Sequence, residues 1–413
     1  MMKYSQPIPL LQERRILLGV TGSVAAYKAI DLASKLTKAG ADVDVILSEA
    51  ARRFVSPITF QSVTGRKVYS DEDLWSSESH VLHIGLAGTA ELCLLAPVTA
   101  NTIAKLAHGQ ADSLLTIMAL AVTCPILLAP AMDVHMFEHP ATQENLERLR
   151  ERGAVIIGPA EGRMASGLIG RGRLVEIPEL IGHIRHELGK RGPLAGYSVV
   201  VTAGGTQEPI DAVRAISNRS SGKQGFALAQ SALDRGANVI LISAPTHLET
   251  PVGAKRVDVC TAAEMRDAVL EAVPSADLLL MAAAVADFRP SETSSTKIKK
   301  RKGLPQVRLE HTEDILQLVA ERRRETGWPR LIVGFAAESE DLVANARAKL
   351  EEKGLTLVAA NDITAPDAGF DVDTNQATLI DADGGVQELP LMMKAEVAEA
   401  ILLRMTQLLV KID

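Results

Sequence analysis

Three observations predict an α/β protein of two Rossmann-like, three-layer domains with mainly parallel sheets. Short apolar runs alternate with helix-patterned segments along nearly the whole chain. Most of the runs lack polar alternation, as expected for parallel strands covered by helices on both faces. The plan also occurs twice. RRILLGVTGSVAAYKAI with KAGADVDVILS, from Arg14, parallels YSVVVTAGGT with DRGANVILIS, from Tyr197. Each copy reads strand, glycine turn, helix, glycine, strand. The stretch GKRGPLAG (189–196) separates them, so the expected domains are 1–190 and 191–413.

In order, strands are expected at Ile16–Val20, Val43–Leu47, Leu92–Ala96, Ile126–Ala129, Val199–Thr202, Val239–Ser243, Leu278–Met281, Leu331–Gly334 and Leu357–Ala360. Helices fall between them. One contains Thr142 and Asn145–Arg152 and ends at Gly153, and Thr261-Ala-Ala-Glu264 is a capping box opening another. Val397, Ile401, Met405, Leu408 and Ile412 keep helical spacing to the C-terminus. Residues 113–132 carry no charge, a length that could cross a bilayer. Pro125 divides them into a helix-length half and the strand-like ILLA, so they read as a buried helix feeding a buried strand.

Composition narrows the function. Apolar residues make up 47% and charged residues 23%, ordinary for a globular protein. Two Trp, four Tyr and seven Phe offer no base-stacking surface, and the net charge of −7 argues against a nucleic-acid partner. Cys93, Cys124 and Cys260 lack the spacing of a disulfide framework or a zinc site. The N-terminus has no apolar signal-peptide core, and a cytoplasmic protein is expected.

The two copies differ at one place. VTAGGTQEPIDAVRAISNRSSGKQG (201–225) ends in a Gly-Lys that suggests a phosphate loop, but Ser217 stands five residues before Gly222 and Gln224 follows Lys223. Relative to the first copy, about fifteen residues are added at the first strand–helix turn, the edge where open α/β sheets bind ligands. Further on, Lys297, Lys299, Lys300, Arg301 and Lys302 concentrate cations in a net acidic chain.

TAGGTQEPIDAVRAISNRSSGKQG, AAAVADFRP, TKIKK, VGFAAES and AANDI together resemble the ligase half of bacterial bifunctional phosphopantothenoylcysteine decarboxylase/phosphopantothenate–cysteine ligases. GVTGSVAAYKA, APVTANTIAKLAHGQADS and PAMDVHMFEHPATQENL resemble the flavoprotein half, which is flavodoxin-like. The resemblance spans roughly residues 14–410. It implies CTP-dependent ligation of 4′-phosphopantothenate with cysteine through an acyl-cytidylate, and FMN-dependent decarboxylation of phosphopantothenoylcysteine to 4′-phosphopantetheine. Mg²⁺ is expected with CTP, although no protein cage for it is visible. A homo-oligomer is implied too.

By that resemblance, Arg214 and Asn218 form and use the acyl-cytidylate in the ligase half, and Lys297 takes the key lysine position in a flap that closes over the triphosphate. Asp287, Phe335, Lys349 and Lys353 contact the nucleotide. Of Thr312–Ile315, only Asp314 and Ile315 match the family's segment. In the flavin half, Gly22, Ser23, Ser48 and Thr99-Ala100-Asn101 match flavin-contacting segments, and His83 matches the active-site histidine. TGSVAAYK lacks G-x-G-x-x-G, which disfavours a nicotinamide dehydrogenase.

Two positions depart from the family. Asp133 stands where an asparagine binds the substrate carboxylate, and Ser166 where a cysteine helps return a proton. A carboxylate facing a carboxylate repels it unless protonated or turned away. Three readings follow. Asp133 and Ser166 serve a subfamily with another proton donor; the flavin half is slow or inactive, as a binding or scaffold domain fused to an active ligase; or His135 or Arg163 takes over.

Overall fold

The computed structural model describes residues 7–75, 82–299, 306–338, 342–362 and 372–412. The chain divides into two compact units, Met1–Leu188 and Gly189–Asp413. Lys300, Arg301 and Lys302 of the basic run lie outside the described residues.

The first unit is built on strands β1 (Arg15–Val20), β2 (Asp42–Leu47), β3 (Val68–Tyr69), β4 (Leu92–Val98), β5 (Ile126–Pro130) and β6 (Val155–Ile156). They form one parallel sheet in the order β3-β2-β1-β4-β5-β6. Its strands, apolar on both faces but for residues such as Asp42 and Asp44 of β2, serve two cores. Leu92, Leu94 and Ala96 of β4 join one cluster with Leu32 and Ile181, while Cys93 and Leu95 point the other way, to Ile103 and Met118. This is why polar alternation is missing: both faces are covered. Residues 113–132 become the helix Leu114–Ala121, opened by a Ser113/Thr116 capping box, and then β5. Among the described residues no helix is long and apolar enough to cross a membrane. A hairpin of β7 (Ala160–Arg163) and β8 (Ile169–Arg173) stands outside the sheet.

In the second unit, β9 (Ser198–Ala203) is followed by a hairpin of β10 (Gln207–Pro209) and β11 (Ala215–Ser217). Then come β12 (Asn238–Ser243), β13 (Lys255–Asp258), β14 (Leu278–Met281), the antiparallel pair β15 (Phe288–Pro290) and β16 (Leu309–His311), β17 (Leu331–Glu338) and β18 (Leu357–Asp362). The C-terminal part adds β19 (Thr374–Asn375), β20 (Ala377–Asp381), β21 (Val386–Glu388) and β22 (Met392–Met393) before the helix Lys394–Ile412. The main sheet runs β13-β12-β9-β14-β17-β18-β20-β21. It is parallel from β13 to β18 and antiparallel at β20 and β21. Alternate residues again feed two cores: Val199 and Val201 pack with Ile401 and Met405, Val200 with Met265 and Val319.

The nine strands expected from apolar runs are all present. So is the Thr261 capping box, where Thr261 accepts the Glu264 N–H and Glu264 accepts the Thr261 N–H. The helix expected around Thr142 spans Pro140–Glu151.

Candidate functional site

In the first unit the sheet order reverses between β1 and β4, so the loops leaving these strands diverge and open a crevice at their carboxyl ends, where such sheets hold ligands. The predicted flavin residues sit there. Gly22 and Ser23 follow β1, Ser48 follows β2, and Thr99 follows β4. Thr99 N-caps the helix Ala100–His108 by accepting the Thr102 N–H, so Ala100 and Asn101 form its first turn. Thr21 joins two of these loops: its hydroxyl donates to Pro97 O at 2.9 Å and accepts the Thr99 N–H at 3.0 Å. Gly22 is needed for close approach, because a Cβ there would collide with the Ala50 side chain. A phosphate-bearing cofactor fits this cradle of backbone and hydroxyl groups beside helix starts.

His83 lies in the first turn of the helix Leu82–Thr89, half-buried. It has no hydrogen-bond partner among the described residues, and its helix packs against Leu114–Ala121. The structure therefore does not bring His83 onto the flavin cradle by any direct bond.

Asp133 and Ser166 do meet. Asp133 N-caps the helix Val134–Glu138, its Oδ1 accepting the His135 N–H at 3.2 Å, and Ser166 donates to its Oδ2 at 2.6 Å. Those bonds, that of Ser166 first, hold the Asp133 carboxyl below its ordinary range. The β7–β8 hairpin reaches this loop through Met132 N–H to Gly172 O at 3.0 Å. Arg171 lies 5.5 Å over the Phe137 ring and adds a cation–π contact. Neither Cys93 nor Cys124 offers a substitute thiol: both are pushed up by burial, Cys124 to about 11.

In the second unit a cavity of about 640 Å³ opens at the carboxyl edge of the sheet. Asn218, Asp287, Asp314, Ile315, Phe335, Lys349 and Lys353 all line it, so seven residues scattered over 136 positions of sequence converge. Asn218 hangs from the β14 loop, its Nδ2 donating to Ala284 O at 3.2 Å and Val285 O at 3.1 Å. Asp314 N-caps the helix Ile315–Thr326 and pairs with Lys353 at 3.0 Å. Burial pushes the Asp314 carboxyl up, but the Lys353 and Gln317 bonds bring it below the usual range. Lys349 Nζ donates to Phe335 O at 2.8 Å. Close helix–strand packing beneath the cavity needs Gly225, where a Cβ would stand 2.5 Å from the Ala203 side chain.

Arg214 and Lys297 are both exposed and neither is among the residues lining this cavity; the segments that carry them are joined by a different route. The added segment is the β10–β11 hairpin, and the stretch before Lys297 is laid along its tip. Thr293 Oγ1 donates to Pro209 O and the Ser294 N–H to Ile210 O, each at 3.1 Å. Asp211 binds both sides and was not singled out from sequence; its only signal is an Asp in a turn, among the commonest of turn residues. Gln224, Asn361 and Asn375 also line the cavity, and Asn375 donates to both other amides. No group of three or more His, Cys, Asp or Glu among the described residues could hold a metal ion.

The fold and the two sites define a flavoprotein unit joined to a nucleotide-fold unit with a cationic, amide-lined cavity. Residues 6–189 match the flavoprotein family, and residues 194–409 match the DNA/pantothenate metabolism flavoprotein C-terminal domain. The coenzyme A biosynthesis bifunctional protein CoaBC of Bacillus subtilis is 45% identical over 398 residues, covering 95% of this chain and 97% of its own length. That of Mycobacterium tuberculosis is 42% identical over 404 residues, covering 94% and 96%. Among solved structures, the C-terminal domain of a CoaBC is 37% identical with a TM-score of 0.46, covering 53% of this chain and 99% of that one. A PPC decarboxylase mutant complexed with pantothenoylaminoethenethiol is 36% identical with a TM-score of 0.40, covering 42% and 97%. The chain belongs to the family of coenzyme A biosynthesis bifunctional proteins. It is an enzyme of coenzyme A biosynthesis that combines ligase and decarboxylase activities.

Proposed function

We propose that residues 191–413 ligate 4′-phosphopantothenate to cysteine at the expense of CTP, and that residues 1–190 decarboxylate the phosphopantothenoylcysteine formed. In the first step the pantothenate carboxylate attacks the α-phosphorus of CTP, releasing pyrophosphate and leaving an acyl-cytidylate. The cysteine amine then attacks the acyl carbon, CMP departs, and the amine loses a proton. The observation that carries this reading is the convergence of Asn218, Asp287, Asp314, Ile315, Phe335, Lys349 and Lys353 on one cavity. Lys349 supplies positive charge for phosphates, Lys353 offsets the Asp314 carboxylate that would repel them, and Asn218 Oδ1, with no partner among the described residues, is left to accept from a ligand. Arg214 and Lys297 stabilise charge on the reacting carboxylate and phosphate. Mg²⁺ is carried on the CTP phosphates, since clustered phosphate oxygens are its preferred ligands and no protein cage is present among the described residues.

In the first unit, Gly22, Ser23, Ser48, Thr99, Ala100 and Asn101 hold FMN. Bound there, it would supply reversible hydride acceptance, the chemistry that lets CO₂ be lost with no net redox change. His83 is assigned as the catalytic imidazole, and Asp133 and Ser166 act as a hydrogen-bonded pair where the resembled family has asparagine and cysteine. An ionised Asp133 disfavours a substrate carboxylate at its own oxygens. The three free cysteines suit a reducing cytoplasm. Tyr27, Phe54 and Ile58, more than half exposed, support a homo-oligomer.

The test is a coupled one. CTP, 4′-phosphopantothenate and cysteine are supplied to the full chain, and CMP and CO₂ are measured separately. CMP formation that does not depend on cysteine would overturn the ligase assignment. CO₂ release that survives intact in His83→Ala would overturn the histidine's role.

A further inference from the structure

We propose that Asp211 is a positioning residue of the ligase site, holding the backbone that carries Lys297 against the hairpin that carries Arg214. This rests on the roles given to those two cations above. Asp211 is 4% exposed and its side chain is fully buried. A buried carboxylate is costly unless its oxygens are satisfied, and here they are. Oδ1 accepts the Val213 N–H at 2.8 Å and the Arg214 N–H at 2.9 Å, which fixes the hairpin turn. Oδ2 accepts the Ile298 N–H at 3.1 Å, directly after Lys297, and stands 3.6 Å from Arg214 Nη1. One carboxylate thus closes the hairpin with one oxygen and holds the lysine segment with the other. Burial pushes its pKa up, and the three N–H donors with the Arg214 charge pull it below the ordinary range, so the anion is the form present at neutral pH.

The geometry separates two functions that a single substitution can part. In Asp211→Asn, the amide oxygen can keep the turn at Val213 and Arg214. The amide nitrogen then faces the Ile298 N–H, donor to donor, and the lysine segment is released. Asp211→Ala loses both.

The full-length protein carries the experiment. In Asp211→Asn, ligase kcat should fall about tenfold to a hundredfold, the scale on which small misplacements act, while decarboxylation of added phosphopantothenoylcysteine is unchanged. In a Lys297→Ala background the same substitution should cost less than about twofold, because it acts through that lysine. Independently of catalysis, trypsin should cut after Lys297 and Lys299 several-fold faster in Asp211→Asn than in wild type. Equal cleavage rates would overturn the tether. Faster cleavage with unchanged kcat, or an equal loss in both backgrounds, would overturn the positioning role. Should wild type ligate nothing, the functional reading fails while the cleavage comparison still decides the tether.

Discussion

Ser166 donates its hydroxyl proton to Asp133 Oδ2 at 2.6 Å, so two of the residues proposed for catalysis in the flavin unit are bonded to each other. Asp133 also accepts the His135 N–H, and its pKa is held low, chiefly by Ser166. For a carboxyl with a depressed folded pKa, the stabilisation is present above its unfolded pKa and is lost as pH falls through the folded value. A carbon-13 titration of Asp133 should therefore give a midpoint below that of a free aspartate, and Ser166→Ala should raise it. An identical midpoint in the variant would show that the bond does not persist in solution.

Arg214, Asn218 and Lys297 are read as groups that stabilise charge during acyl transfer. Replacing any one with Ala should lower ligase kcat by about a hundredfold, the usual cost of deleting one such donor, with decarboxylation untouched. Turnover within twofold of wild type for a given variant removes that residue from the assignment.

Gly22 faces the Ala50 side chain with no room for a methyl group. Gly22→Ala should push the first turn of the cradle outward and weaken flavin binding. The visible absorbance of the purified protein reports occupancy directly. Full occupancy, with unchanged flavin affinity on titration, would show that this turn is not part of the cofactor site.

Lys353 neutralises Asp314 at 3.0 Å on the cavity wall. Lys353→Met should leave the carboxylate facing incoming phosphates and raise the KM for CTP about tenfold, with a smaller change in kcat. Adding Asp314→Asn should recover part of that loss. A KM unaffected by either change would place the triphosphate elsewhere.

Much of this architecture was legible in the chain, and the reason is physical. Val199–Thr202 or Leu92–Ala96 can be nothing but covered strands once both faces are apolar, and the Thr261/Glu264 box is a local signal that tertiary contacts did not override. The β7–β8 and β10–β11 hairpins were not legible as strands. AEGR, IGRGR and QEP carry no apolar period, and their pairing is supported by bonds to distant loops such as Met132–Gly172. The site residues were found by resemblance; that seven of them share one cavity is a property of sheet order, which no local pattern encodes. Asp211 stayed hidden because its partner Ile298 lies 87 residues away.

Each unit keeps its own pair of apolar cores, with Leu94 and Cys93 serving one fold and Val199 and Val200 the other. Heritable drift within the cores of the flavin end can therefore accumulate without emptying those of the ligase end. Selection can tune the two chemistries on separate clocks while one transcript still delivers them in equal numbers.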